Sequence, residues 1–221
     1  MTSRQLTNSV ESVQSADWFF HLLNTATMTT DKFWRRPKII RVAAIGFVVA
    51  MAMAFALRFE GRLLICSCNR FFIWVGNICS SNNSQQLFDP YSFTHVLHGF
   101  LLFWIISLLF RRLAPEWQIS LALICEAAWE IFENTPFVIN RYRTETAALG
   151  YAGDTVVNSL GDLLCAFVGI LIARQLGYRR SVVLFIVIEV ILLFTIRDSL
   201  LLEILMLIRP IAVIKQWQLC L

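Results

Sequence analysis

The stretch WQISLALICEAAWEIFEN, residues 117–134, has the length of a membrane-crossing helix and carries Glu126, Glu130, Glu133 and Asn134 within it. A helix needs roughly 17–25 mostly apolar residues to cross ~30 Å of hydrocarbon. At ~100° per residue the three carboxylates and Asn134 fall within an arc of about 100°. A carboxylate at a helix centre costs ~2.5–3.5 kcal/mol on insertion scales, so such a face must turn into a bundle rather than towards lipid. One helix therefore predicts its neighbours: it needs partners that also bring polar groups inward.

Both flanking stretches supply them. Residues 155–173 form an apolar span led in by Asp154, with Asn158 and Asp162 on one face of about 80°. Residues 93–110 form another, opening with His95 and His98, about 60° apart, and ending at Arg111 and Arg112. In an alternating topology the His pair, the Glu133 end and the Asp154 end lie near one surface. Glu126 and Asp162 sit about two turns deeper. Glu126, Glu130 and Asp162 together represent a penalty on the order of 8–10 kcal/mol unless they are paired, protonated or bound to a cation.

Further out, Ile39–Leu57 reads as a first span, preceded by Lys32, Arg35, Arg36, Lys38 and Arg41, and Ser181–Ile196 as a fifth. The small residues Ala52, Ala54 and Ala56 allow a signal-cleavage reading, but the apolar stretch is longer than a usual signal core and reads as an uncleaved anchor. Residues 58–92 are a long connection, with Phe71–Val75 too short to span and suited to the interface. The apolar run Leu200–Ile208, stopped by Pro210, reads as an interfacial or re-entrant segment. Residues 1–31 are polar and aperiodic and read as a disordered tail, with Met28 opening a natural membrane-protein start. The expected fold is thus all-α: a polytopic membrane helix bundle of about five transmembrane helices over residues 32–221, plus an interfacial C-terminal segment. Composition agrees, with 57% hydrophobic and 15% charged residues and a mean hydropathy of +0.65, against about 25% charge in soluble domains.

An N-terminus inside puts 11 of the 19 basic residues in the cytoplasm, five of them in the short loops after residues 110 and 173. The positive-inside rule then favours a cytoplasmic N-terminus and a periplasmic C-terminus. No basic stripe with interleaved aromatics points to nucleic acid, and six cysteines are too scattered for a disulfide scaffold. Cys66, Cys68 and Cys79 would face the oxidising side, where a disulfide among them can form, whereas Cys125 and Cys165 read as packing residues.

Converging carboxylates repel unless protons or cations intervene. Glu, Asp and Asn oxygens suit Mg²⁺, Ca²⁺ or Mn²⁺, and imidazoles move the preference towards Mn, Fe or Zn. The metal ligands on this reading are Glu130, Glu133, Asp154, Asn158 and Asp162. Glu126, Glu130 and His98 are the acid–base groups. Arg141, Arg143, His95 and Asn134 would hold a substrate such as a phospholipid or a lipid-linked head group. Two other readings stand beside it: a proton or solute pathway, and carboxylates that only tie helices together within a larger membrane complex. Glu189 joins the cluster only if its helix packs against the third or fourth span. Arg197 and Asp198 read as an interfacial ion pair.

The segments Ser81–Gln85 to His98-Gly99-Phe100, Glu126–Asn134 and Gly153–Ser159, with Ile196-Arg197-Asp198 and Ile214–Gln218, resemble uncharacterised protein family 0314 over roughly residues 30–221. The resemblance implies a multi-pass inner-membrane protein of alphaproteobacteria and carries no activity with it. A more local likeness, over residues 95–165, is to the base-exchange phosphatidylserine synthases. These pair a Trp-Glu-x-x-Glu on one span with an acidic lead-in and an Asp on the next, around a bound cation. Trp129-Glu130, Glu133, Asp154 and Asp162 occupy those positions here, with a different loop spacing between them.

Overall fold

The structure, a computed structural model, describes residues 36–148 and 150–219. The expected polar tail and the start at Met28 lie outside the described residues. Seven helices and one isolated β-bridge make up the described chain: α1 (Arg36–Phe59), α2 (Ser92–Leu109), α3 (Pro115–Glu133), α4 (Pro136–Glu145), α5 (Val156–Ile196), α6 (Leu200–Ile208) and α7 (Ala212–Gln218). The all-α expectation holds, with boundaries that differ by a few residues from those read in the sequence.

Prolines punctuate the middle of the chain. Pro115 and Pro136 open α3 and α4, where a missing N–H costs nothing. Pro136 also ends α3, because the residue before a proline is pushed out of the helical region, and Thr135 is extended (φ −69°, ψ 151°). The stretch containing Arg141 and Arg143 is therefore helical.

α5 spans 41 residues but is two helices in one, with Gly177 at φ 71°, ψ 167° between them. That backbone region is essentially open only to glycine. The contacts along α2 show what the break does. Ser92 reaches Asp162, and Gly99 packs on Ala166 and Ile170, so the first half of α5 runs parallel to α2. Trp104 then meets Tyr178 and Ser181, Phe100 meets Phe185, and Tyr91 meets Asp198, so the second half runs back antiparallel. α5 is a helical hairpin with its reversal at Gly177. The reversal falls inside the 174–180 stretch that separates two apolar segments in the sequence.

Close approach of α2 and α5 depends on glycine. A Cβ on Gly99 would lie 2.1 Å from the Ala166 carbonyl oxygen, and one on Gly169 would lie 2.0 Å from that of Val96. α1 packs against α3 in parallel, with Lys38 and Arg41 at Glu116 and Gly46 at Leu123. Leu57, Leu97, Phe100, Ile119, Ala122, Ile170 and Met53 are almost fully enclosed between these helices. Outward, α1 leaves Phe47, Val48, Met51 and Phe55 exposed, and α5 leaves Val183, Ile186, Ile191 and Phe194. Among the described residues two helices, over Lys38–Phe59 and Ser92–Leu109, are long and apolar enough to cross a membrane.

The long connection between α1 and α2 folds over one end of the bundle. Ser84, Leu63 and Leu64 offer their carbonyls to the N–H groups of Thr155, Val156 and Val157 (2.8–3.2 Å). The first N–H groups of α5 have no partner within the helix, so this connection serves as their cap, together with the Thr155 hydroxyl, which accepts from the Asn158 N–H. Cys66 and Cys68 are joined by a disulfide in the same connection.

Candidate functional site

His95 and His98, one turn apart on α2, both face Glu126 on α3. The Nδ1 atoms lie 2.8 Å and 3.2 Å from Glu126 Oε1. His95 Nδ1 is also 3.1 Å from Glu130 Oε1, and its Nε2 lies 4.0 Å from Asp162 Oδ2 on the first arm of the α5 hairpin. One imidazole thus touches carboxylates from two other elements. The convergence follows from helical spacing: Glu126 and Glu130 are one turn apart, so an imidazole facing the groove between them meets both. Asp162 is itself oriented by the Ser92 hydroxyl, which donates to Oδ1 at 2.9 Å.

Burial here is nearly complete. Glu126 and Glu130 are 0% exposed, Asp162 is 4% and His95 is 7%. Yet Glu126 Oε2, Glu133 Oε2 and both oxygens of Glu130 have no hydrogen-bond partner. Glu130 Oε1 stands within reach of His95 Nδ1, but that nitrogen carries at most one proton and lies nearer Glu126 Oε1. Orphaned buried carboxylate oxygens are costly, so a set of them on three successive turns of one helix requires an explanation. Two groups of side chains have ligand atoms all within 4.8 Å of one another: His95, His98 and Glu126, and His95, Glu130 and Glu133. These buried His and Glu groups are disposed to hold a metal ion.

The remaining sequence candidates lie around this centre. Asn134 and Asp154 hold each other: the Asn134 amide donates to Asp154 Oδ2 at 2.9 Å, and its carbonyl accepts from the Asp154 N–H at 2.7 Å. Tyr151 donates to the other Asp154 oxygen at 3.0 Å. Burial and the nearby Glu133 push the Asp154 carboxyl up to about 7, against the lowering effect of those hydrogen bonds and of His95. Asn158 is 1% exposed, and its Nδ2 has no partner. Arg141 donates from Nε to the Leu207 carbonyl at 2.9 Å and caps the C-terminal end of α6. Arg143 bonds the Tyr151 carbonyl. Both guanidinium groups thus bond backbone carbonyls beside the centre, and neither is ion-paired to its carboxylates.

Several participants were not singled out in the sequence. Asp89 is 2% exposed, accepts from the Ser84 and Tyr91 N–H groups at 2.7 and 2.8 Å, and lies close enough to His95 to feel its charge. Burial raises its carboxyl above the ordinary range despite these bonds. The Asp-Pro pair just before α2 was its only local signal. Tyr142, on the unexpected helix α4, stands beside Glu133. Glu203, on α6, is raised well above the usual range by burial and by its neighbours Asp198 and Glu133. Only the docking of α6 brings it there. Arg62 donates to the Ala152 carbonyl at 2.6 Å and covers Gly153, whose φ of 87° admits no ordinary side chain. Arg197 and Asp198 turn to different partners, the Trp217 carbonyl for the first and Tyr91 and the Ser199 N–H for the second. Glu189 accepts from the Leu201 N–H at 3.3 Å.

Comparison with known proteins gives one consistent result. Residues 57–220 match the family model described as protein of unknown function (DUF2585). The chain is 40% identical to a UPF0314 protein of Sphingopyxis alaskensis over 181 residues, 80% of this chain and 96% of that one. It is 40% identical to one of Rhizobium meliloti over 196 residues (89% and 98%) and 41% identical to one of Novosphingobium aromaticivorans over 178 residues (78% and 90%). No solved structure matches.

Proposed function

We propose, on the premise that this chain belongs to the UPF0314 family, that it is a multi-pass inner-membrane protein whose bundle holds a divalent cation and acts on a lipid or lipid-linked head group at the periplasmic side. In this reading residues 32–221 form one membrane domain. α1, α2, α3 and the two arms of α5 are its five spans, and α6 and α7 lie at the interface. Support for the spans comes from the two long apolar helices and from residues 156–173, whose one charged side chain is the inward-facing Asp162. α3 carries more charge, but Glu126 and Glu130 are enclosed. Lys38, Arg41, Arg111, Arg112, Arg174, Arg179 and Arg180 gather at the Gly177 end, which the positive-inside rule assigns to the cytoplasm. The Cys66–Cys68 disulfide lies at the opposite end and suits an oxidising compartment.

The observation that carries the chemistry is Glu130: wholly buried, against an imidazole, with neither oxygen hydrogen-bonded. A cation supplies the missing partner, and the two histidines favour Mn²⁺, Fe²⁺ or Zn²⁺ over Mg²⁺ and Ca²⁺. Such an ion polarises a phosphoryl oxygen or lowers the pKa of a bound water. Around it, Asp162 orients the His95 ring, Asn134 and Tyr151 fix Asp154 beside Glu133, and Arg62 places a positive charge above the Gly153 turn. Towards the Gly177 end the interior is filled by Phe100, Phe103, Ile106, Ile170 and Ala173, which favours a closed reaction chamber over a path through the membrane.

Metal analysis of protein purified in detergent without chelator tests the proposal, together with lipid extracts of cells with and without the gene. Retained divalent metal, lost on Glu130→Ala, and an altered lipid profile are expected. Metal-free protein with unchanged lipids would overturn it.

A further inference from the structure

Building on this reading, we infer that the centre holds two divalent cations bridged by Glu130, rather than one. The two ligand groups share His95 alone. A single imidazole Nδ1 serves one ion, so the groups separate once His95 is assigned. With His95 given to the second, one ion takes His98 and Glu126, the other takes His95 and Glu133, and each lacks one ligand. Glu130, one helical turn from Glu126 and a member of the second group, has two oxygens free of hydrogen bonds, one to offer each ion. Glu126 Oε2 and Glu133 Oε2, also without partners, are the terminal carboxylate donors. Every orphaned oxygen of α3 then has a partner, which one ion does not achieve.

Charge points the same way. Asp89, Glu126, Glu130, Glu133, Asp154 and Asp162 surround two imidazoles, and among the described residues no lysine or arginine is ion-paired to any of them. One dication offsets only two of these carboxyl groups. Helix-bundle cores that hold ion pairs use a comparable set of carboxylates and two histidines. Asp162, bonded to Ser92 and facing His95 Nε2, is then a positioning residue that fixes the ring, as carboxylates behind metal-bound histidines do. Such a pair would suit hydrolysis of a phosphate ester: a water oxygen held by one ion bonds to phosphorus, the ester P–O bond breaks, and the leaving oxygen, held by the other ion, takes up the water's proton. The substrate class is therefore a phosphate ester, presented by a lipid.

The test uses the full chain in detergent, stripped with chelator and dialysed against Mn²⁺, with bound metal counted per chain and the Mn²⁺ spectrum read by electron paramagnetic resonance. Two Mn²⁺ per chain with an exchange-coupled signal are expected. Glu130→Gln is expected to abolish the coupling, while Asp198→Asn, outside the ligand set, keeps both ions. One ion per chain with an isolated six-line signal overturns the pair but leaves a single-metal site standing. Two uncoupled ions overturn the Glu130 bridge. No bound ion overturns both this inference and the reading beneath it. If Glu130→Gln does not fold, the wild-type count and spectrum still decide.

Discussion

Glu116 and Glu130 lie on the same helix, both are buried, and they live in opposite electrostatic worlds. Glu116, 5% exposed, has Lys38 Nζ at 3.3 Å and an Arg41 guanidinium nitrogen at 3.6 Å. Glu130, 0% exposed, has only a shared imidazole and no hydrogen bond to either oxygen. The Gly177 end of the bundle thus satisfies its buried acid within the chain, and the His95 end does not. An acid left unsatisfied in a packed core calls for an explanation, and the proposed cation supplies one.

The largest expected effect removes the frame on which both ends depend. Gly99 lies between them, and a Cβ there would meet Ala166 O at 2.1 Å and Ile170 N at 2.8 Å, both backbone atoms. Gly99→Val should cost about 3 kcal/mol or more, since overpacking usually costs ~1–3 kcal/mol when side chains can yield. Size-exclusion chromatography should show loss of the monodisperse species. Gly150→Ala, with nothing within 4 Å, should leave it intact.

Next in size is a pair of substitutions expected to separate the two acids. Saturating Mn²⁺, at about 100 times its Kd, should stabilise the wild type by ~2.7 kcal/mol. Glu130→Gln should erase most of that gain while leaving metal-free protein as stable as before or more so. Glu116→Gln should leave the Mn²⁺ gain untouched and lower stability by about 0.5–1 kcal/mol, a modest figure because Lys38 and Arg41 are 31% and 48% exposed. Thermal melts with and without Mn²⁺ check both, and equal Mn²⁺ responses in the two variants would end the contrast.

Another expected effect concerns pH. Asp154 ordinarily titrates near 3.8 and is raised to about 7 in the folded chain, by burial first and Glu133 second. A carboxyl raised on folding binds its proton more tightly in the native state. Its stabilisation is therefore full below the ordinary value and lost as pH rises through about 7. Metal-free protein should melt at progressively lower temperature between pH 4 and 7, and Asp154→Asn should flatten that slope. An unchanged slope in the variant would place the titration elsewhere.

A further modest effect belongs to the satisfied end. Trp104 donates its indole N–H to Ser181 Oγ at 3.0 Å, joining α2 to the returning arm of α5. Trp104→Phe should cost ~1 kcal/mol in denaturant melts, with no change in Mn²⁺ response.

Residues 117–134, 93–110 and 155–173 already displayed in the sequence the one-sided polar faces that the structure brings together at His95, Glu126, Glu130 and Asp162. That much was legible because a helix converts spacing along the chain directly into direction in space. The sequence also marked the stretch in which the α5 hairpin turns, through the basic interval between two apolar spans. It could not show that Arg141 caps α6, that Arg143 bonds the Tyr151 carbonyl, that α4 exists to bring Tyr142 to Glu133, or that Asp89 and Glu203 approach the same centre. Those outcomes depend on how segments with no shared periodicity dock against one another, and docking is settled by long-range packing and backbone hydrogen bonding. Local pattern chose the residues that face inward; tertiary contacts decided which found partners inside the chain and which were left without a hydrogen bond.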